Sequence, residues 1–126
     1  MKFVRAKSAA LAAAAAGPAL LFTAGTAHAA PFPNYASNGP MTIRYSDASF
    51  GLTARIWDDS NPAGVAEVCH YVSIGADHSL PFNGEADLLG HGPGTVFIPG
   101  HPLGKRWSVT VNCDGTGQSL NFWVDY

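Results

Sequence analysis

Positive charge is scarce in this chain beyond its N-terminus. Of the seven Lys and Arg residues, Lys2, Arg5 and Lys7 fall in the first seven positions. Residues 30–126 keep four cations against nine acids, a formal net charge of −5. Nucleic acids and anionic membranes are bound by clustered Lys and Arg. The composition therefore predicts that neither is a partner.

Long apolar runs and catalytic motifs are also missing. The longest apolar run, residues 9–22, contains 14 residues with Gly17-Pro18 inside it, whereas a membrane-spanning helix needs about 20. No Gly-x-Ser-x-Gly elbow is present, and no two histidines have the His-x-His or His-x-x-x-His spacing. We therefore predict no cofactor, no metal site and no membrane span in the processed chain.

What the N-terminus does contain is typical of a cleavable secretory signal. A cationic start is followed by the apolar run and then by Ala27-His28-Ala29, a small-x-small cleavage pattern. We predict a signal peptide over residues 1–29 and a secreted or cell-envelope location. Residues 30–40 hold three prolines and predict an extended leader. Residues 41–126 remain as one domain.

That domain has short alternating runs in place of helical periodicity. The clearest is 107–113, in which Trp107, Val109, Val111 and Cys113 alternate with polar residues. Turn residues recur between the runs, and Asn83-Gly84 predicts a hairpin turn. The pattern predicts an all-β fold, an antiparallel sandwich of about seven short strands.

The two cysteines of an exported domain predict one disulfide, Cys69–Cys113. Alternation places Cys113 on the apolar face of its strand. If Cys69 also faces inward, the polar residues Glu67, Tyr71 and Ser73 turn inward with it. The aliphatic residues Val68, Val72 and Ile74 then turn outward. Three explanations remain open: a bulge, a strand covered on both faces, or a bridge at the sheet margin.

The cysteine in an early-middle strand, the late Trp-x-Val-x-Val-x-Cys strand and the hairpin return resemble the immunoglobulin-like class. The resemblance implies sandwich architecture. It does not extend to antibody domains, because the core tryptophan after the first cysteine is missing and Val111 stands where a tyrosine is usual. The alanine-rich signal and the short Gly- and Pro-rich domain also resemble small exported proteins of actinobacteria, many of which have no assigned function.

Two tryptophans carry the leading functional hypothesis, a non-catalytic binding module. Trp57 and Trp123 occupy the polar side of their strands, and exposed aromatic rings anchor protein partners or stack on sugars. We predict them as contact residues for an unknown protein or carbohydrate at the cell surface.

Two alternatives stay open. A small hydrolytic or metal-dependent enzyme would draw on Asp58 and Asp59, on the pair Glu85 and Asp87, or on the histidines. The histidines of the processed chain are His70, His78, His91 and His101. The oxygen-rich segment 58–61 also has the composition of a calcium-binding loop. The other alternative is a structural envelope protein without a small ligand.

Overall fold

The computed structural model describes residues 31–77, 81–100 and 103–126, and its regular structure there consists of antiparallel strands. The predicted signal peptide 1–29, His78 and His101 lie outside the described residues. The described residues form eight strands in chain order: β1 (Tyr35–Asn38), β2 (Met41–Ala48), β3 (Gly51–Asp58), β4 (Ala66–Gly75), β5 (Phe82–Leu89), β6 (Gly94–Pro99), β7 (Arg106–Cys113) and β8 (Ser119–Asp125).

The strands form two four-stranded sheets. Sheet 1 has the order β1-β2-β3-β6 and sheet 2 the order β5-β4-β7-β8. The chain changes sheet between β3 and β4, between β5 and β6, and between β6 and β7. The prediction of an all-β antiparallel fold with one disulfide is confirmed.

The core lies between the sheets because one face of each long strand is apolar. In β2, for example, Met41, Ile43 and Tyr45 are buried while the intervening residues face solvent. In the core, the hydroxyls of Tyr45 and Tyr71 share one hydrogen bond of 2.5 Å, so neither oxygen is left without a partner. Burial raises the pKa of Tyr71 to about 12, and it raises the pKa of Tyr45 as well. Both hydroxyls are therefore protonated, and their hydrogen bond lies within the core.

The disulfide joins neighbouring strands of sheet 2. Cys69 in β4 pairs directly with Cys113 in β7, with their Cα atoms 4.0 Å apart. A bulge is excluded, because β4 keeps a continuous register with both of its neighbours. Glu67, Tyr71 and Ser73 do face inward. Strand β4 is therefore oriented with these residues towards the core. Antibody domains differ, because their disulfide joins the two sheets.

Two local predictions need correction. Asn83-Gly84 does not turn the chain but lies inside β5, where a Cβ on Gly84 would approach Val96 Cγ1 to 2.7 Å. The glycine is there because β6 crosses close to it. Within the segment 30–40, predicted as a leader, Tyr35–Asn38 forms the edge strand β1 beside β2.

Candidate binding surface

The outer face of sheet 1 carries an unusual row of side chains. Tyr35, Arg44, Arg55 and Thr95 stand opposite one another across the four strands. Residues directly opposite in antiparallel strands project to the same side with Cβ atoms about 5 Å apart. The two arginines are therefore side by side on the surface of the molecule.

Neither arginine has an acidic partner among the described residues. Arg55 donates a hydrogen bond from Nη1 to Ser46 Oγ at 3.1 Å, and the Arg44 guanidinium lies 4.5 Å from the centre of the Tyr35 ring. The other two cations of this part of the chain are both in ion pairs. Lys105 lies 2.9 Å from Asp77, and Arg106 lies 2.9 Å from Asp125. The described residues include nine acids, yet none of them forms an ion pair with the two arginines of sheet 1.

Aromatic side chains flank the arginine row. Trp57, half-buried, lies two residues after Arg55 on the same face of β3 and opposite Thr42 of β2. Phe97 of β6 is opposite Thr53 and is 49% exposed. Two residues along a strand correspond to about 7 Å. The surface formed by Tyr35, Arg44, Arg55, Trp57 and Phe97, here called the Arg–aromatic face, is therefore about 14 Å long.

Trp123 lies elsewhere. It is 54% exposed, but it belongs to β8 and projects from the outer face of sheet 2, opposite Ser108. The two predicted contact residues therefore occupy opposite outer faces of the sandwich, and a single small ligand cannot touch both. Of the two tryptophans, Trp57 is the one that lies beside the arginine pair.

The carboxylates considered for catalysis are also separated. Asp58 faces inward and is fully buried, whereas Asp59 is exposed and lies 3.9 Å from His91. Glu85 and Asp87 face outward on β5. Glu85 lies 3.5 Å from His70, which also hydrogen-bonds Asp114 at 2.9 Å. The hydrogen bond that the His70 ring donates to Asp114 and the negative charges of Asp114 and Glu85 raise the pKa of His70.

The partner of Asp58 is a residue that was not predicted, Glu67. Burial raises the pKa of Glu67, and its hydrogen bond with Asp58 raises it further. Burial alone would raise the pKa of Asp58 too, but hydrogen bonds from Ser60 and Thr116 outweigh burial and lower it. The two shifts run in opposite directions, so Glu67 binds its proton more tightly than Asp58 does. The inward parity of Glu67 was the sequence signal for this contact.

The segment 58–61 uses its polar atoms internally. Asp58 Oδ1 accepts hydrogen bonds from the amide and hydroxyl of Ser60 at 3.0 and 2.5 Å. Asn61 Nδ2 donates to the carbonyls of Val65 and Gly90, both at 2.8 Å. These contacts close the loop between β3 and β4 and tie it to the loop after β5. The oxygens are therefore not gathered around a common centre as calcium ligands are.

One group of metal-ligand types lies close together in the described part of the chain: Glu67, Cys69 and Cys113. Both sulfur atoms belong to the disulfide, and zinc and copper bind the thiolate. In the oxidised protein this group therefore offers only the Glu67 carboxylate.

Comparisons with protein-family models, with curated proteins and with solved structures found no match to this chain. Within the residues that the structure describes, there is no helix able to cross a membrane. The functional argument therefore depends on the geometry of the side chains.

Proposed function

We propose that the protein is an exported, non-catalytic binding module whose Arg–aromatic face binds an acidic polysaccharide at the cell surface. The observation that carries this proposal is the directly opposed pair Arg44 and Arg55 without an acidic partner. Export itself is proposed from the N-terminal signal pattern, and a disulfide in the folded domain supports it.

The arginine pair favours an anionic ligand. Like charges directly opposite each other in a sheet destabilise it, so the free protein carries a local cost that a bound carboxylate or sulfate would remove. A guanidinium binds such groups through two parallel hydrogen bonds. Two arginines are too few for the multiple phosphate contacts through which proteins bind nucleic acid.

The aromatic residues favour a carbohydrate over an acidic peptide. Trp57, Tyr35 and Phe97 lie on the outer face of sheet 1, and Tyr35 and Phe97 are 41% and 49% exposed. An exposed aromatic ring can stack on the apolar face of a sugar ring. Together with the arginines, it suits a polymer whose sugar rings alternate with negative charges.

The test uses a pair of polymers that share a backbone and differ in charge. Immobilised polygalacturonate is compared with pectin in which most carboxylates are methyl esters, and binding of the oxidised protein is measured by surface plasmon resonance. We expect binding to polygalacturonate that weakens with added salt, and at least about tenfold weaker binding to the ester, since a charge-assisted hydrogen bond contributes about 1.5–3 kcal/mol. Equal binding to both polymers contradicts the proposal.

Matched variants locate the surface. Arg44→Gln with Arg55→Gln should reduce binding at least about tenfold, whereas Arg106→Gln, on the outer face of sheet 2, should leave it unchanged. Trp57→Ala should weaken binding, and Trp123→Ala should not. Poly-L-glutamate is the peptide control: binding as tight as that to polygalacturonate would show that the ligand is an acidic protein segment and would overturn the glycan assignment.

A further inference from the structure

The outer face of sheet 2 carries aliphatic side chains where a solvated sheet carries polar ones. Strand β4 runs through the inside of this sheet, and Val68, Val72 and Ile74 project from it away from the core. Ile74 is 46% exposed, and Trp123 of β8, which is 54% exposed, lies in the same row across β7. Antiparallel sheets that face water on one side alternate apolar and polar residues. A cluster of exposed apolar side chains is typical of an interaction surface.

Carboxylates border this apolar stripe. On β5, Glu85 is opposite His70 and Asp87 is opposite Val68. Asp114, directly after β7, lies 2.9 Å from His70 on the same side of the sheet. Asp87 has no ion-pair partner among the described residues, and a protonated His70 balances only one of the three carboxylates. The stripe together with Glu85, Asp87 and Asp114, here called the acidic face, is therefore negative.

The Arg–aromatic face of sheet 1 is complementary to the acidic face. Among the described strand residues that point outward from sheet 1, Arg44 and Arg55 are the charged ones, and aromatic rings flank them. The Cβ atoms of these opposed arginines are about 5 Å apart, and Glu85 and Asp87, two residues apart on β5, are separated by about 7 Å. The two spacings are similar, so each guanidinium can bind one carboxylate through two parallel hydrogen bonds.

We propose that the Arg–aromatic face of one molecule binds the acidic face of a second copy of this chain. The two faces lie on opposite sides of the sandwich, so each bound copy leaves one face free for the next. Such a contact between two different surfaces is heterologous and produces an open-ended stack. Four strands about 4.8 Å apart and about eight residues long give each face about 500 Å². The contact therefore removes about 1,000 Å² in total, which is the size of a weak, reversible complex.

Stacking requires no glycan. An acidic polysaccharide and a second copy use the same arginines, so they exclude each other at one Arg–aromatic face. The acidic face, in contrast, takes part in stacking alone. Glu85→Gln with Asp87→Asn should therefore weaken stacking without weakening the binding of polygalacturonate. Arg44 and Arg55 are shared, but the two proposals can still fail separately.

Sedimentation velocity of the oxidised protein, without any polysaccharide, tests the stack. We expect the weight-average sedimentation coefficient to rise with protein concentration from the micromolar to the millimolar range, without levelling off at the value of a dimer. Added salt should lower it, because the ion pairs are exposed to solvent. A protein that stays monomeric over the whole range, or whose association stops at a dimer, overturns the proposal.

Two double variants each remove one face. Arg44→Gln with Arg55→Gln, and Glu85→Gln with Asp87→Asn, should each associate at least about tenfold more weakly than the wild type. An equimolar mixture of the two should form a one-to-one dimer that does not grow, because each variant keeps the face that the other lacks. A mixture that remains monomeric contradicts the pairing of these two faces.

Asp47→Asn with Asp59→Asn is the matched control. It removes two negative charges from exposed positions outside both faces, so it should associate at least as strongly as the wild type. A loss as large as that of the Glu85 and Asp87 variant would show that the acidic face has no specific role. Trp123→Ala should weaken stacking while the binding of polygalacturonate stays unchanged, and unweakened stacking in this variant would remove the apolar stripe from the contact.

Discussion

The buried surroundings of Glu67 change the acidity of its carboxyl group. Its Oε2 accepts a hydrogen bond from the Thr116 amide at 2.8 Å, and burial together with a hydrogen bond to Asp58 raises the pKa of its carboxyl group. An isolated buried carboxylate would be costly. Both oxygens of Asp58 accept hydrogen bonds as well, so the buried carboxyl groups next to the disulfide have polar partners.

The pH dependence of stability follows from the raised pKa of Glu67. Its folded pKa exceeds the ordinary value of 4.5, so its contribution is fully present below that value and is lost as pH rises through the folded pKa. Glu67→Gln imitates the protonated form. We expect the variant to match the wild type near pH 4 and to be more stable near pH 7, as measured by urea unfolding at both values.

Glu85→Gln is the control for this measurement, because it removes the same charge from an exposed position. Its free energy of unfolding should differ little from that of the wild type at either pH. If Glu67→Gln is instead less stable than the wild type near pH 7, the raised pKa of Glu67 is contradicted.

Ser60 and Thr116 both donate hydrogen bonds that lower the pKa of Asp58, and Thr116 does so from Oγ1 to Asp58 Oδ2 at 2.6 Å. Thr116→Val keeps the shape and removes the donor. We expect a loss of about 1.5–3 kcal/mol of unfolding free energy, the usual contribution of a hydrogen bond to a charged group. Thr110→Val is matched, because Thr110 Oγ1 bonds Asn121 on an exposed face. Equal losses in the two variants would contradict a special role for the buried contact.

Among the structural elements, β5 is the one whose local sequence misleads. Asn-Gly is a strong hairpin signal when two strands flank it closely, but here the glycine is required by packing across the sandwich. A Cβ at position 84 would lie 2.7 Å from Val96 Cγ1 and 3.1 Å from the Phe82 ring. Packing against a strand distant in sequence thus overrides the turn preference.

Gly84→Ala therefore overpacks the contact between β5 and β6. We expect it to lower the free energy of unfolding by about 1–3 kcal/mol, measured by denaturant titration. Asn83→Ala, at the exposed neighbouring position, should change it by less than about 0.5 kcal/mol. In a double-mutant cycle, Val96→Ala should relieve part of the loss, and strictly additive effects would show that the steric contact is not the cause.

Period-two alternation predicted the long strands well, because β2, β3, β7 and β8 each bury one apolar face. It missed β1, since Tyr-Ala-Ser-Asn has no apolar alternation and is held by pairing with β2. It could not place Trp57 beside the arginines either. Arg44 and Arg55 become neighbours only through the register of β2 and β3, which depends on tertiary packing.

On the scale of the whole molecule, the two ends of the sandwich differ. One end holds the disulfide, the Asp58–Glu67 pair and Asn61, all buried and hydrogen-bonded or covalently joined. The other end holds an apolar cavity. Covalent and hydrogen bonds therefore join the strands at the first end, whereas the second end leaves space between the sheets.

The disulfide should account for a large share of the stability of the whole molecule. Its cysteines are 44 positions apart, and closing a loop of that length in the unfolded chain stabilises the fold by about 4 kcal/mol, out of about 5–15 kcal/mol for a typical domain. We expect urea unfolding in the presence of reductant to show about that loss. Because the reduced unfolded chain is more expanded, its m-value should also rise. A loss of stability with an unchanged m-value would place the effect in the folded state, in the packing of β4 against β7, and would contradict the entropic account.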